Sequence, residues 1–391
     1  MPIVNRLADM HDEIAAWRHD FHQHPELLYE VHRTSASVAE RLKGFGLDEV
    51  ATGIGRTGVV GVIRGRNGGG GKVIGLRADM DALPITEATG KTYASKTPGV
   101  MHACGHDGHT AMLLGAAKYL SETRNFDGTV VVVFQPAEEG GAGAKAMVAD
   151  GLMTRWGIEE VYGMHNMPGL PVGRFAIRPG PLMASADRLH ITIEGLGGHA
   201  ARPHYAVDTI VVGSAIVQAV QQIVSRNVDP LDSAVVSITV FNAGSADNVI
   251  PQTAELRGTV RTLKPEVRDL VERRLGEVVE QTAKAYGAKA ELYYRRDYPV
   301  TSNHPEQTAF AADIASEIVG TGNVERATVP VMGGEDFSFM LEERPGAFIF
   351  AGAGDTGGNL HHPAYDFNDE LIPVGCSYWV RLAETALRPA A

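Results

Sequence analysis

Residues 129–134 read Thr-Val-Val-Val-Val-Phe, with no polar position after the first. A strand with one wet face alternates polar and apolar side chains, so a run that never alternates must be covered on both faces. The neighbouring segments can supply that cover. Residues 35–45 and 109–120 carry helical spacing, 58–63 and 72–76 read as strands, and the glycines at 68–71 read as a hairpin loop between them. Strands alternating with helices predict an α/β fold with a mostly parallel sheet and helices on both sides. At 391 residues the chain exceeds what one hydrophobic core organises, and 44% hydrophobic with 21% charged residues is the composition of a packed protein.

The pattern changes after Pro181. Leu189, Ile191 and Ile193 alternate with Arg188, His190, Thr192 and Glu194, as in a half-buried strand. Val207, Ile210, Val211, Val217, Val220 and Val224 then mark one helical stripe, followed by alternating strands at 234–241 and 253–262. A second helix has Pro265 in its first turn and Val267, Leu270, Val271, Leu275 and Val278 on one face, before a strand at 288–295. Strand, helix, strand, strand, helix, strand is the split βαβ order of a ferredoxin-like α+β sandwich. Helix 308–319 and strand 347–351 return to the first pattern. The expectation is a larger domain of residues 1–183 and 300–391, interrupted by a smaller one at 184–299.

Charge and short motifs exclude several functions. Lys+Arg 35 against Asp+Glu 47 gives −12, a sign that repels nucleic acid and anionic lipid. No run of 18 apolar residues occurs, and the N-terminus lacks a basic head followed by an apolar stretch, which predicts a soluble, cytoplasmic protein. Cys104 and Cys376 are too few for a disulfide framework. Residues 53–58 (Gly-Ile-Gly-Arg-Thr-Gly) match the dinucleotide fingerprint by letters, yet they lead into a strand where that motif must open a helix. Gly71-Lys72 lacks the remainder of a phosphate loop.

Residues 101–109 (Met-His-Ala-Cys-Gly-His-Asp-Gly-His) place His102, Cys104, His106 and His109 within eight positions. Such borderline-soft donors suit zinc, manganese, cobalt or nickel, although the segment alone reads equally as a solvated turn before a helix. Other donors follow separate strands: Asp79 and Asp81, Glu138 and Glu139, His165, and His361 beside His362. In an open parallel sheet the strands' carboxyl ends share one edge, so these groups are expected to converge. Glu138-Glu139 alone could open an exposed helix, where carboxylates favour the dipole. Buried together, they call for cations.

These strings, with Arg-Ala-Asp-Met-Asp at 77–81, Gln-Pro-Ala-Glu-Glu at 135–139, Gly-Gly-His at 197–199, the 248–262 segment and His-His-Pro at 361–363, resemble the metal-dependent amidohydrolases of the aminoacylase and carboxypeptidase superfamily. The similarity is to the branch of hippurate hydrolase, N-acetyldiaminopimelate deacetylase and the auxin-conjugate hydrolases, and runs from about His19 to Glu370. It implies a di-metal hydrolase domain with an inserted ferredoxin-like lid domain. By position, Cys104 would bridge two divalent metal ions, with His106, Glu139, His165 and His361 completing the ligands and Glu138 as general base. Where the wider superfamily has His-x-Asp, this chain has Asp79-Met80-Asp81, which leaves Asp79 in doubt as a ligand and makes Asp81 an orienting carboxylate. The resemblance also gives His199 a role at the oxyanion, from the other subunit of a homodimer formed through the lid, or of a higher oligomer. Asn248 and Arg261 match substrate-carboxylate contacts, while Arg261 also fits the solvated face of an alternating strand. His204 is read as structural.

The expected reaction is hydrolysis of the amide bond of a small N-acyl amino acid by a metal-bridged water. Two alternatives remain open at this stage. One is a cysteine-nucleophile amidase using Cys104, the other a non-catalytic metal-binding protein.

Overall fold

The structure is a computed structural model that describes residues 4–388; Met1–Ile3, where the N-terminal reading begins, and the last three residues lie outside the described residues. The chain divides into two compact units, one of Met1–Leu182, Ser302–Val329 and Asp336–Ala391, the other of Met183–Thr301 and Pro330–Glu335.

The first unit is built on an eight-stranded sheet in the order Glu49–Ile54, Gly58–Arg64, Thr129–Gln135, Val73–Asp79, Glu160–Pro168, Gly346–Gly354, Phe175–Ala176, Val324–Glu325. Thr129–Gln135, Val73–Asp79, Glu160–Pro168 and Gly346–Gly354 run parallel, and all seven residues of Thr129–Gln135 are buried, as its unbroken apolar sequence requires. That strand also corrects the expected hairpin at 68–71. Gly58–Arg64 and Val73–Asp79 do not pair; Thr129–Gln135 lies between them, antiparallel to one and parallel to the other. The strand with two apolar faces takes the inner position, and the glycine loop passes over it. The glycines at 53–58 do form a turn, since Glu49–Ile54 and Gly58–Arg64 are antiparallel neighbours.

Helices His11–Gln23, His32–Gly44, His106–Thr123, Pro305–Val319 and Ile372–Ala386 contribute the rest of the core, with Ile14, Phe21, Leu42, Leu114, Ile314 and Trp379 among its buried side chains. The helix expected over 109–120 starts three residues earlier, so His106 is already helical and Gly105 precedes it at φ +92°. A Cβ at Gly105 would stand 2.3 Å from Asn166 Nδ2 and 2.6 Å from the Tyr365 hydroxyl. Only glycine satisfies both the backbone and the space there.

In the second unit, Ser185–Glu194, Ala234–Ala243, Thr253–Thr262 and Lys289–Tyr298 form an antiparallel sheet with Ala234–Ala243 and Lys289–Tyr298 at its edges. Helices Thr209–Ala219 and Pro265–Ala285 share a core with it. Asp208 caps the first by accepting from the Ile210 N–H at 2.9 Å. The stripe expected on that helix is rotated. Val212, Ile216, Val220 and Ile223 are buried, whereas Ile210 and Val211 are exposed. The buried set repeats every three to four residues, and the expected list had joined two faces of a helix that is apolar nearly all round. Among the described residues, no helix is long and apolar enough to cross a membrane.

Candidate metal centre

The carboxyl edge of the parallel sheet carries the cluster. Val73–Asp79 ends in Asp79, Thr129–Gln135 runs into Glu138 and Glu139, and Glu160–Pro168 contains His165. The loop after Gly346–Gly354 brings His361, whose N–H donates to the Ala103 carbonyl at 2.7 Å. Cys104, His106 and His165 each offer a ligand atom within 4.8 Å of the others; so do Cys104, Glu139 and His361, and so do His106, Glu138 and Glu139. Every residue assigned to metal from the sequence therefore falls in one neighbourhood.

Local structure aims these donors. The Glu138 and Glu139 turn follows Ala137 at φ +55°, and precedes Gly140 at +92° and Ala142 at +56°, a concentration of left-handed backbone that must be held from outside. Asp81 holds it: its two carboxylate oxygens accept from the Glu138 N–H at 2.9 Å and the Glu139 N–H at 3.0 Å. His106 donates from Nδ1 to the Asp81 carbonyl at 2.8 Å, and His165 from Nδ1 to the Asn166 carbonyl at 2.7 Å. Each bond turns the Nε2 of its ring toward the cluster, where His165 Nε2 meets Cys104 Sγ at 3.4 Å. His361 has φ +65°, and its Nε2 lies 3.3 Å from Glu139 Oε1.

His109 and Asp79 stand behind the donors. His109 Nδ1 donates to Asp79 at 2.7 Å while its Nε2 accepts the Asn166 N–H at 3.0 Å, so both nitrogens are engaged. Asp79's other oxygen accepts from Arg77 at 2.7 Å. Burial works to raise the Asp79 carboxyl, but His106, Arg77 and His109 hold it well below the usual range. Asn166 links further segments, donating to the Cys104 carbonyl at 2.7 Å and accepting from the Tyr365 hydroxyl at 2.7 Å. His102 is buried with neither ring nitrogen hydrogen-bonded; burial pushes its imidazole down to about 3.

The donor set fits divalent cations. His106 Nε2 is buried without a hydrogen-bond partner, and buried Glu139 Oε1 has only the 3.3 Å approach of His361 Nε2. Burial, then Glu139, Glu138 and Asp79, push the Cys104 thiol well above its ordinary value, and His106 is lifted to about 10 by Asp79, Asp81 and Glu139 against the effect of burial. Protons thus sit where cations are wanted. The same carboxylates oppose a free Cys104 thiolate, the species a cysteine nucleophile needs.

His199, Asn248 and Arg261 belong to the second unit. His199 is exposed on a short ribbon, Gly198–His199 paired with Val249–Ile250, and Asn248 is exposed beside it in sequence. Arg261 is half-buried and donates to Thr259 and to the Val260 carbonyl, groups of its own strand. His204 is exposed against the ring of Tyr205.

Sequence reasoning missed Arg18, His22, Asn166 and Tyr365. A signal existed for two of them. Ile14, Ala15, Arg18, Phe21 and His22 form the buried stripe of helix His11–Gln23, and a cation on an apolar stripe must have partners. Asn166 and Tyr365 had none, because their roles depend on which segments meet.

Nitrogen, sulfur and carboxylate donors gathered at the carboxyl edge of a mostly parallel sheet, with a further glutamate beside them, define a hydrolase of the metal-dependent kind. The chain belongs to peptidase family M20/M25/M40, matching it over residues 75–385. It is 44% identical over 383 residues to a hippurate hydrolase of Campylobacter jejuni, covering 98% of this chain and 99% of that protein. It is 40% identical to an N-acetylcysteine deacetylase of Bacillus subtilis, covering 96% and 97%. A crystal structure of a dinuclear metal-binding peptidase of the M20 family from Bacillus subtilis superposes with a TM-score of 0.84 at 37% identity, covering 97% of this chain and 99% of that one.

Proposed function

We propose that the chain hydrolyses the amide bond of N-acyl amino acids, releasing a carboxylate and an amino acid. Cys104, His106, Glu139, His165 and His361 hold two divalent ions (zinc, manganese, cobalt or nickel), and Glu138 is the general base. The observation that carries this reading is the donor cluster, buried except at His361, with His106 Nε2 left unpaired and Glu138 beside it. Relatives named for hippurate and for N-acetylcysteine support the substrate class.

When bound, the ions polarise the scissile carbonyl and acidify the attacking water. Glu138 takes one proton from that water as its oxygen bonds to the acyl carbon. The carbon–nitrogen bond then breaks, and Glu138 delivers the proton to the leaving nitrogen. Asp81 fixes the backbone from which Glu138 projects, so the carboxylate meets the reacting atoms without a search. His199 donates to the oxyanion, a kind of contact that elsewhere contributes about 2.7–4 kcal/mol. Asn248 and Arg261 receive the substrate carboxylate.

In this reading the second unit is a lid and the chain works as a homodimer through it, in the cytoplasm. Support comes from the edge strand Ala234–Ala243, from the exposed Ile210 and Val211, and from the exposure of His199. A reducing compartment suits Cys104, which is a free cysteine and serves as a ligand only when reduced, as its thiolate.

Two neighbouring substitutions test the assignment. Glu138→Gln keeps size and hydrogen bonding but cannot take a proton, so metal content stays and turnover falls by about 10²–10⁴-fold. Glu139→Gln loses metal affinity, and excess metal restores part of its activity. Metal analysis with turnover on both variants decides: the opposite pattern reverses the two roles, and full activity in both removes the reading.

A further inference from the structure

Arg18 lies on helix His11–Gln23, far in sequence from every donor, yet it is completely buried. Its Nε is 2.9 Å from Asp107 Oδ2, its Nη2 pairs with Asp366, and its Nε is 3.7 Å from Asp369 Oδ1. Asp107 follows His106 directly, at the start of helix His106–Thr123. Asp366 stands in the loop that carries His361. One guanidinium therefore joins the two segments that bring His106 and His361.

Those segments need joining. His361 is tied by its N–H to the Ala103 carbonyl, but its backbone is left-handed and half of its side chain is exposed, so its packing alone gives the ring little support. The loop is held at its base instead: Tyr93 donates to Asp366 at 2.7 Å, and Lys91 is 3.2 Å from the same carboxylate. Asp107 is held from its other side by His22, whose Nδ1 is 2.8 Å away and whose Nε2 is 3.3 Å from Glu87. The Arg18 guanidinium also stacks 4.9 Å from the Tyr93 ring and 5.8 Å from that of Phe367, another residue of the loop. A planar guanidinium that hydrogen-bonds Asp366 through Nη2, pairs by charge with Asp107 and faces two rings is held in place and orientation, which a lysine ammonium cannot match.

We propose that Arg18 is a positioning residue for the metal pair, setting the spacing of His106 and His361 through Asp107 and Asp366. The inference rests on the ligand reading above. Outer partners of ligands commonly change metal affinity by about 10–100-fold when removed.

The test uses the full chain, stripped of metal and titrated with Zn²⁺ against a chromogenic chelator, with thermal unfolding followed in parallel. Arg18→Gln is expected to weaken at least one of the two Zn²⁺ sites by about 10–100-fold, and Arg18→Lys to restore only part of the loss. Asp366→Asn, which cuts one arm at a less buried position, shifts affinity in the same direction and answers the question should Arg18→Gln fail to fold. Leu42→Ala, a core truncation in helix His32–Gly44, is the control for destabilisation: it lowers the melting temperature and leaves Zn²⁺ affinity unchanged. Wild-type Zn²⁺ affinity in Arg18→Gln, or in Asp366→Asn where only that variant folds, overturns the proposal and makes Arg18 purely structural. His106→Ala and His361→Ala separate the two levels. If both retain two Zn²⁺ ions, the ligand reading falls and the Arg18 proposal with it. If they lose Zn²⁺ while the Arg18 and Asp366 variants do not, only the Arg18 proposal falls.

Discussion

Gly105 separates Cys104 from His106 and has no chemistry of its own, yet it decides whether both can face one point. Its φ of +92° lets the chain turn from the Cys104 segment into the helix, and Asn166 and Tyr365 fill the space a side chain would need. Gly105→Ala adds strained backbone, roughly 1–2 kcal/mol, and an overpacked contact of roughly 1–3 kcal/mol. Asn166 cannot retreat without releasing the Cys104 carbonyl. The expected result is a destabilisation of about 2–5 kcal/mol in chemical denaturation, with metal content reduced in whatever protein still folds. A variant with wild-type stability and full metal content would show that the neighbours relax freely. Gly143 is constrained in a similar way, since its Cβ would fall 1.6 Å from the Pro136 carbonyl oxygen at the Glu138 turn.

Between helix His11–Gln23 and the start of helix His106–Thr123 lies a buried exchange of charge that responds to pH. Burial lowers the His22 imidazole, but hydrogen bonds to Asp107 and Glu87 outweigh it and lift the group to about 9. Arg18 opposes that rise, and Tyr93 and His102 present their rings to His22. A folded value above the unfolded one, about 6.5, means that the protonated imidazole stabilises the fold. That contribution is complete below about pH 6.5 and is lost as pH rises through about 9; a shift of this size corresponds to roughly 3 kcal/mol. With metal kept saturating, the stability difference between wild type and His22→Gln should therefore shrink as pH rises from 6.5 to 9. A difference constant across that window would mean that His22 is neutral in the folded chain. The elements themselves were largely legible, because Thr129–Gln135 and the four long strands of the second unit announce themselves by apolar run or alternation. What escaped was pairing: the glycine loop at 68–71 carries no sign that another strand will enter beside it. The donors were legible because they stand in short donor-rich strings near the carboxyl ends of strands or the start of a helix, although His165 lies within its strand rather than after it. Arg18 left a signal, a cation on an apolar stripe, but its partners did not, and Asn166 left none, since their roles appear only when distant segments are brought together.

At the scale of the whole molecule, the open matter is whether one chain contains a complete site. His199 is exposed on the second unit, and that unit offers an unpaired edge strand with exposed apolar side chains on its first helix. An exposed strand edge on a stable protein is ordinarily covered, and a second copy of the same chain is the partner always present. If His199 serves the neighbouring chain, Glu138→Ala and His199→Ala damage different halves of a shared site. Each homodimer of a single variant is inactive. A mixed dimer has one site with both defects and one with neither, so random exchange of equal amounts makes about half of the dimers mixed, each with one intact site out of two. Activity should then recover to about one quarter of wild type, and should follow the fraction of mixed dimers as the mixing ratio is varied. If each chain uses its own His199, every site in the mixture lacks one of the two groups and nothing is recovered. Subunit exchange must be verified separately, with two distinguishable tags recovered on one dimer. Exchange without recovery would mean that each chain supplies its own His199 or that His199 is structural, and a chain that stays monomeric at assay concentration while turning over at the full rate would remove the dimer from the mechanism.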